Sequence, residues 1–191
     1  GHGHPWLQSH ALEAGEATPE AERLYSRYGE AFSAAYREAF SPAQSLADIA
    51  IIDSLGPTAP VAVDLYRKDG DRGGRASLKV FALGEALQLS QRVPMLENLG
   101  FIVDNERTYE VNADSGAARA WLHDMAIERA RGGDIDIDAI DERIEQTLLA
   151  VMGGDIESDR FNALVTEAGL TAREAMILRA YGRYLIQIGV P

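Results

Sequence analysis

Cysteine is absent from the sequence, and lysine occurs only at Lys68 and Lys79. The absence of thiols excludes disulfide bonds, thiolate nucleophiles and metal sites built on cysteine. It is compatible with a reducing cytoplasm. Apolar runs near the roughly 18 residues of a membrane span are also missing, as is the apolar core of a signal peptide.

Positive charge is scarce, because 18 lysines and arginines stand against 30 acidic residues and give a formal net charge of −12. Nucleic acids and anionic membranes are bound through basic patches, so we expect neither as a partner. The sequence has no glycine-rich fingerprint between a strand and a helix, and it has no P-loop. We therefore predict no catalytic residue, no cofactor-binding residue and no metal ligand in this chain.

The chain of 191 residues has room for one α+β domain with helical additions. Residues 1–17 are left unplaced, and the first five are more typical of residues added for expression than of a fold. Thr18-Pro19 is typical of a helix start. A stripe with four-residue spacing then predicts a single N-terminal helix over 18–42. The stripe consists of Leu24, Tyr28, Phe32, Tyr36 and Phe40.

A capping box at Ser41 and Gln44 predicts a second helix. Its expected inward residues are Leu46, Ile49, Ile52 and Leu55. Alternating residues predict strands over 61–66 and 76–82, joined by a turn at 69–74. Ser90 is expected to open a third helix with Pro94 in its first turn. Further strands are predicted over 101–111 and 120–127.

The order helix, strand, strand, helix, strand, strand predicts an α+β fold with helices on one face of an antiparallel sheet. A ferredoxin-like or ACT-like domain with its first strand moved to the end has this order. We place this domain at 43–130 and a helical extension at 134–191. Three apolar stripes predict the helices of the extension. A capping box at Thr171 and Glu174 is expected to open the last of them, which stops just before Pro191. Their inward residues are Ile140, Ile144, Leu148 and Val151; Phe161, Leu164, Val165 and Ala168; and Ile177, Leu178, Tyr181, Leu185 and Ile188.

Four residues are candidates for ligand binding or for an interface. His123 stands beside Asp124, but adjacent strand residues point to opposite faces, which favours a structural, hydrogen-bonded histidine over an acid–base role. Gly84, Asn98 and Gly100 lie in tight connections beside the predicted sheet. Such connections line amino-acid sites in ACT-type domains, although a simple turn is the more ordinary interpretation.

Acidic residues at 134, 136, 138 and 145 have the spacing of a partial EF-hand loop. The sixth position of the loop should be glycine, and it is Ala139. A helix start with acids near the positive end of its dipole is the favoured interpretation.

Several blocks of sequence resemble the large NAD-dependent glutamate dehydrogenases of bacteria, over about residues 20–189. The blocks lie at 35–42, 47–49, 65–67, 78–81, 104–110, 121–124, 161–165 and 178–185. The most specific block is Val93-Pro94-Met95-Leu96-Glu97-Asn98-Leu99-Gly100-Phe101. The resemblance implies an ACT-like and helical segment that precedes the catalytic core of such an enzyme.

The resemblance further implies a parent that converts L-glutamate to 2-oxoglutarate and ammonia with NAD, in the cytoplasm, as a homo-oligomer. The present chain would be a non-catalytic regulatory or assembly fragment whose partners are other domains and subunits. An amino-acid effector is a further possible partner. NAD would bind elsewhere in the parent, and this chain alone is expected to be inactive. A stand-alone amino-acid sensor and a protein-interaction scaffold are the alternatives.

Overall fold

A computed structural model describes residues 19–113 and 119–190 of the chain. The N-terminal helices are α1 (Pro19–Tyr28), α2 (Ala34–Ala39) and α3 (Pro42–Ser54). The central elements are β1 (Val61–Tyr66), β2 (Arg75–Leu83), α4 (Leu89–Asn98), β3 (Phe101–Val111) and β4 (Ala120–Arg129). The C-terminal helices are α5 (Ile137–Met152), a 3₁₀ turn (Arg160–Asn162), α6 (Ala163–Glu167) and α7 (Ala172–Gln187).

The four strands form one antiparallel sheet in the order β1-β2-β4-β3. A ferredoxin-like sheet has the order 4-1-3-2, and moving its first strand to the end of the chain converts that order into the one observed. The predicted α+β class and the permuted connectivity are therefore confirmed. The short connections explain why β1 pairs with β2 and β3 pairs with β4, because pairing of sequence neighbours is favoured.

The single helix predicted over 18–42 is wrong, because the chain forms two helices there. A turn follows Tyr28, and Phe32 pairs with Val111 in an isolated antiparallel bridge. The Ser33 side chain then accepts a hydrogen bond from the backbone N–H of Tyr36 and starts α2. Gly29 lies at the turn, and its low helix propensity agrees with the break. Thr18, the predicted helix cap, lies outside the described residues.

The described chain divides into two compact units. The first comprises 19–62, 80–86, 107–113 and 119–123, and the second comprises 63–79, 87–106 and 124–190. An aromatic cluster lies at the centre of the first unit, where Tyr36 is fully buried. Its ring stacks on Phe32 at 4.4 Å between centroids and meets Tyr109 edge-on at 5.6 Å. The core also contains Tyr28, Ala31, Phe40, Ile49, Ile52, Phe81, Val111, Ala120 and Leu122.

Helix α3 begins with the predicted capping box, in which Ser41 and Gln44 each accept a backbone hydrogen bond from the other. Its inward face is more polar than predicted. Asp48 is buried and accepts a hydrogen bond of 2.5 Å from the Tyr36 hydroxyl, whereas Leu46 is 43% exposed. The burial of Asp48 is tolerated because the carboxylate has a hydrogen-bond partner.

Asp53, near the end of α3, binds side chains of α1. It pairs with Arg23 at 2.7 Å and with Arg27 at 3.1 Å, and it accepts a hydrogen bond of 3.0 Å from the Tyr28 hydroxyl. The Arg23 hydrogen bond is the largest cause that lowers the pKa of Asp53. Burial, followed by the hydrogen bond to Asp53, raises the pKa of Tyr28 to about 12.

The Asp53→Asn substitution is expected to lower the free energy of unfolding at neutral pH by less than about 1 kcal/mol, since the side chains of Arg23 and Arg27 are 45% and 38% exposed and water screens both pairs. A lowered carboxylate pKa stabilises the fold above its ordinary value of 3.8. This stabilisation disappears as the pH falls through the lower, folded-state pKa. Urea unfolding of both proteins at a series of pH values should show their difference shrinking in acid. A difference that grows in acid would contradict this assignment.

In the second unit, α4 begins one residue before Ser90, at Leu89. Pro94 therefore lies inside the helix and not in its first turn, which corrects the prediction. Helix α5 begins at Ile137 with Asp136 as its cap, and it buries the predicted Ile140, Ile144 and Leu148. The following stripe is only partly confirmed, because Val165 is buried but Ala168 is exposed.

Candidate functional site

His123 is fully buried on β4, and its Nδ1 lies 2.8 Å from the Thr108 hydroxyl on β3. The neighbouring Asp124 instead binds Tyr66 and Lys68. Adjacent strand residues point to opposite faces, which explains these separate partners. The contact with Thr108 is a cross-strand hydrogen bond of the kind that stabilises a sheet.

Gly84 lies at the end of β2 with a φ of 89°, which explains a glycine at this turn. Its backbone N–H donates to the carbonyl of Arg119 at 2.6 Å, and its carbonyl accepts from Trp121 Nε1 at 3.1 Å. Both polar groups of its backbone are therefore used to hold the turn.

Asn98 and Gly100 lie together where α4 ends. Asn98 Nδ2 donates to the Ser158 hydroxyl at 3.0 Å, and Gly100 has a φ of 88°. The nearby Thr166 hydroxyl donates to the carbonyl of Leu99 at 2.7 Å. Asn98 and Gly100 thus hold the end of α4 in the second unit. Gly84 and His123 belong to the first unit. A ligand role for any of the four stays a prediction.

The Gly100→Ala substitution should lower the free energy of unfolding by about 1–2 kcal/mol, because an alanine is strained at this positive φ. An added Cβ would meet only ordinary contacts, with the nearest atom, Glu167 Oε1, at 3.4 Å. Gly56→Ala is the matched control, since Gly56 has no positive φ and no atom within 4 Å of its Cβ position. Equal unfolding midpoints in denaturant for the two variants would show that an alanine at position 100 is not strained.

A polar cluster that the sequence analysis missed lies in the second unit. It consists of Tyr66, Lys68, Lys79 and Asp124, and it contains both lysines of the chain. The Tyr66 hydroxyl donates to Asp124 at 2.6 Å, and Lys68 pairs with the same carboxylate. Lys79 is 3% exposed, and its ammonium lies 4.8 Å from the centre of the Tyr66 ring. The clue in the sequence was the restriction of lysine to the first hairpin.

Each charge of this cluster has a nearby partner. Lys68 is paired with Asp124, and the Lys79 ammonium lies over the face of the Tyr66 ring. The arrangement can fix the first hairpin against β4. Two ammonium groups could hold an anionic ligand, but Lys68 is paired with the Asp124 carboxylate, which repels anions, and Lys79 is buried. The cluster is therefore best described as a structural unit.

An open groove of about 650 Å³ lies between Tyr66, Arg67, Gly73 and residues 134–138. The Arg67 guanidinium donates to the carbonyl of Arg75 at 2.6 Å and to that of Ile135. Asp136 accepts from the backbone N–H of Ala139 at 3.3 Å and caps α5. The residues from 137 onward are helical, so the EF-hand loop is not formed. Within the described ranges, no group of three or more histidine or acidic side chains could hold a metal ion.

Helix α7 is held in place within the second unit by a buried arginine. Arg179 is 4% exposed and donates to Asp159 at 2.8 Å and to Asn162 at 2.6 Å. Burial acts to raise the pKa of Asp159, but the hydrogen bonds and charge of Arg179 outweigh it and leave this pKa lowered. A Cβ on Gly182 would lie 3.1 Å from the Phe161 ring, so the helix passes close to that ring.

The inward stripe predicted for α7 is wrong. The inward residues are Ala175, Arg179 and Gly182, which follow one another at spacings of four and three. Nine of the twelve large apolar side chains that are exposed in the described residues lie between Met176 and Val190. We define the α7 apolar face as Ile177, Leu178, Tyr181, Tyr184 and Leu185, together with Ile188, the residue that caps the end of the helix.

The exposed fractions within the α7 apolar face run from 42% at Leu185 to 64% at Tyr181. The apolar periodicity itself was read correctly, and only its direction was wrong. A group of six exposed apolar side chains on one face of a helix is typical of an interaction surface. No helix among the described residues has the length and the apolar character that crossing a membrane requires.

Three family models match the chain in succession. They describe glutamate dehydrogenase helical motif 2 at residues 13–55, the glutamate dehydrogenase ACT3 domain at 60–140, and glutamate dehydrogenase helical motif 3 at 156–191. Helix α7 thus lies within the match to helical motif 3, and the whole sheet lies within the match to the ACT3 domain.

Curated relatives are named NAD-specific glutamate dehydrogenase. The protein from Halomonas elongata is 38% identical over 168 residues, which are 88% of this chain and 10% of the relative. Those from Pseudomonas aeruginosa and Mycobacterium tuberculosis are each 34% identical, over 96% and 95% of this chain and 11% of each relative. The chain thus spans about a tenth of the length of these relatives.

Proposed function

Because the chain resembles a stretch of the large NAD-specific glutamate dehydrogenases that includes the ACT3 domain, we propose that it is a non-catalytic segment of such an enzyme, with a role in assembly or regulation. The observation that carries the proposal is the succession of three matches, all to parts of glutamate dehydrogenase. In the proposed parent, L-glutamate, NAD and water give 2-oxoglutarate, ammonia and NADH. The groups that bind NAD and glutamate belong to the remainder of that enzyme.

The contacts of the described residues support a role without chemistry. His123 is used in a cross-strand hydrogen bond, and Asp124 is bound by Tyr66 and Lys68. Arg179 serves to attach α7 to Asp159 and Asn162. These polar groups hold elements of the fold in place. A segment of this kind influences an enzyme by positioning other parts of it.

The α7 apolar face supports the assembly part of the proposal. Burying apolar area against a partner is the main favourable term in protein association, at about 25 cal/mol per Å². The inward side of the helix is fixed by Arg179 and by the close approach of Gly182 to Phe161. The face is therefore presented on a rigid support, which favours its use as a contact with other domains or subunits of a cytoplasmic homo-oligomer.

Regulation by an amino-acid effector would require that the effector bind one conformation of the enzyme more tightly than another. The match to an ACT3 domain is the observation that favours such an effector. Thermal-shift measurements on this chain with glutamate, arginine, aspartate and 2-oxoglutarate test the alternative of a stand-alone sensor. A shift of the melting temperature with one of them would favour the sensor, whereas no shift with any of the four would refute it.

The complete product of the gene provides the test of the proposal. A double substitution, Tyr181→Glu with Tyr184→Glu, places two charges on the α7 apolar face without touching the inward side of α7. We expect a smaller assembly by light scattering and slower NADH formation from glutamate. Ile102→Glu is the control, because Ile102 is an exposed apolar side chain of the sheet. Unchanged assembly and rate in the double variant would refute a role of the α7 apolar face in assembly.

A further inference from the structure

The α7 apolar face has a symmetry that points to its partner. Its central line consists of Ile177, Tyr181, Tyr184 and Ile188, at spacings of four, three and four. Alternating spacings of three and four place side chains along one seam of a helix, as in helices that pack in pairs. The line therefore fits another helix lying nearly parallel or antiparallel to α7.

The same line reads identically from both ends, in spacing and in residue type. In an antiparallel pair of α7 helices related by a two-fold axis, Ile177 of one chain faces Ile188 of the other. Tyr181 likewise faces Tyr184 across the axis. A two-fold interface uses the same patch on both chains and must be complementary to itself, and this line meets that requirement.

We propose that the occupant of the α7 apolar face is a second copy of this chain, packed through α7 in an antiparallel, two-fold pair. The inference rests on the proposed function, because it names the partner of the face through which the segment takes part in assembly. It extends that function by specifying the contact residues and the direction of pairing.

The area of the face is adequate for a stable pair. Six side chains of this size, each about half exposed, present on the order of 700 Å². A standard stable interface buries roughly 800 Å² on each partner. The face is also larger than the roughly 300–600 Å² of the largest apolar patch on a typical monomer.

Charge does not prevent this pairing. The six residues of the α7 apolar face are uncharged, and nearby Arg183 is paired with Glu157. Each chain carries a formal net charge of −12, so two chains repel one another at a distance. Salt screens that repulsion within about 10 Å at 0.1 M. We therefore expect the pair to tighten as the ionic strength rises.

Sedimentation equilibrium of this chain over a range of concentrations tests the pairing. A dimer of twice 20.8 kDa is expected for the unmodified chain. Ile188→Glu should weaken the dimer by at least about a hundredfold, the effect of a buried unpaired charge costing roughly 3 kcal/mol. Ile102→Glu is the matched control, since Ile102 is 51% exposed and Ile188 is 53% exposed. A monomer at all concentrations, or a dimer that Ile188→Glu leaves intact, would overturn the proposal.

Cross-linking tests the direction of the pair, because the chain has no cysteine of its own. Ile177→Cys and Ile188→Cys are prepared separately and then mixed under mild oxidation. Antiparallel pairing predicts that the mixture forms disulfide-linked dimers faster than either variant alone. Faster cross-linking of each variant with itself would indicate a parallel pair and would refute the arrangement.

The two proposals fail in different ways. A monomeric chain with an exposed α7 apolar face would remove the second copy as the occupant while leaving the segment a non-catalytic part of a larger enzyme. Formation of NADH by this chain alone would remove the proposed function, whatever the state of association.

Discussion

Replacing Tyr36 with alanine should lower the free energy of unfolding by about 3–5 kcal/mol, the range for removing a large aromatic side chain from a core. Tyr36 is fully buried, and its ring contacts Phe32, Phe40 and Tyr109. The substitution also removes the hydrogen bond to the buried Asp48. Chemical denaturation monitored by circular dichroism measures the loss.

Two conservative variants separate the hydroxyl from the ring. Tyr36→Phe removes the donor to Asp48, and it should cost about 1–3 kcal/mol because a hydrogen bond to a buried carboxylate is lost. Tyr109→Phe should cost nothing, since the Tyr109 hydroxyl is buried without a hydrogen-bond partner in the described part of the chain. Equal losses for these two variants would show that the bond to Asp48 does not stabilise the fold.

The second large effect is expected for Arg179→Met. Removing one partner of a buried ion pair costs about 3–5 kcal/mol, and the partial exposure of Asp159 reduces this expectation to about 2–4 kcal/mol. The side-chain oxygen of Asn162 also loses the hydrogen bond that it accepts from Arg179. The free energy of unfolding by urea provides the measurement.

Arg183→Met is the control for Arg179→Met, because Arg183 lies one turn further along α7 and also pairs with a carboxylate, that of Glu157. Both members of the Arg183–Glu157 pair are exposed, so little change in stability is expected for Arg183→Met. If the two arginine variants unfold at the same urea concentration, the burial of Arg179 is not what attaches α7.

The order of the helices and strands and the capping boxes of α3 and α7 could be predicted from the sequence, because they depend on local signals. Ser41 with Gln44 and Thr171 with Glu174 satisfy the first backbone N–H groups of their helices whatever lies nearby. The alternation of the strands likewise depends only on which residues of a segment are apolar. These features need no knowledge of distant contacts.

The direction of a helix face could not be predicted so easily. A rule that places apolar residues inward assigns Ile177 and Tyr181 to the core, although Arg179 and Gly182 lie there. The rule fails because Arg179 is buried against partners that lie 20 and 17 residues away, Asp159 and Asn162. A helix whose apolar side is kept for another molecule has the same periodicity as one whose apolar side is in the core.

The break between α1 and α2 was missed for a related reason. The four-residue spacing of the aromatic residues continues across the turn, since Phe32 reaches the same core from a bridge to Val111. The polar cluster of Tyr66 and Asp124 was missed because its members are far apart in the sequence. Long-range partners of buried polar groups leave no periodic signal.

Formation of NADH from L-glutamate and NAD, by this chain and by the complete product of its gene, tests the central claim most directly. We predict no NADH from the purified chain at any concentration, and glutamate-dependent NADH from the complete product. Glutamate-dependent NADH formation by the chain alone would contradict a non-catalytic segment, and a complete product that forms none would contradict a glutamate dehydrogenase parent.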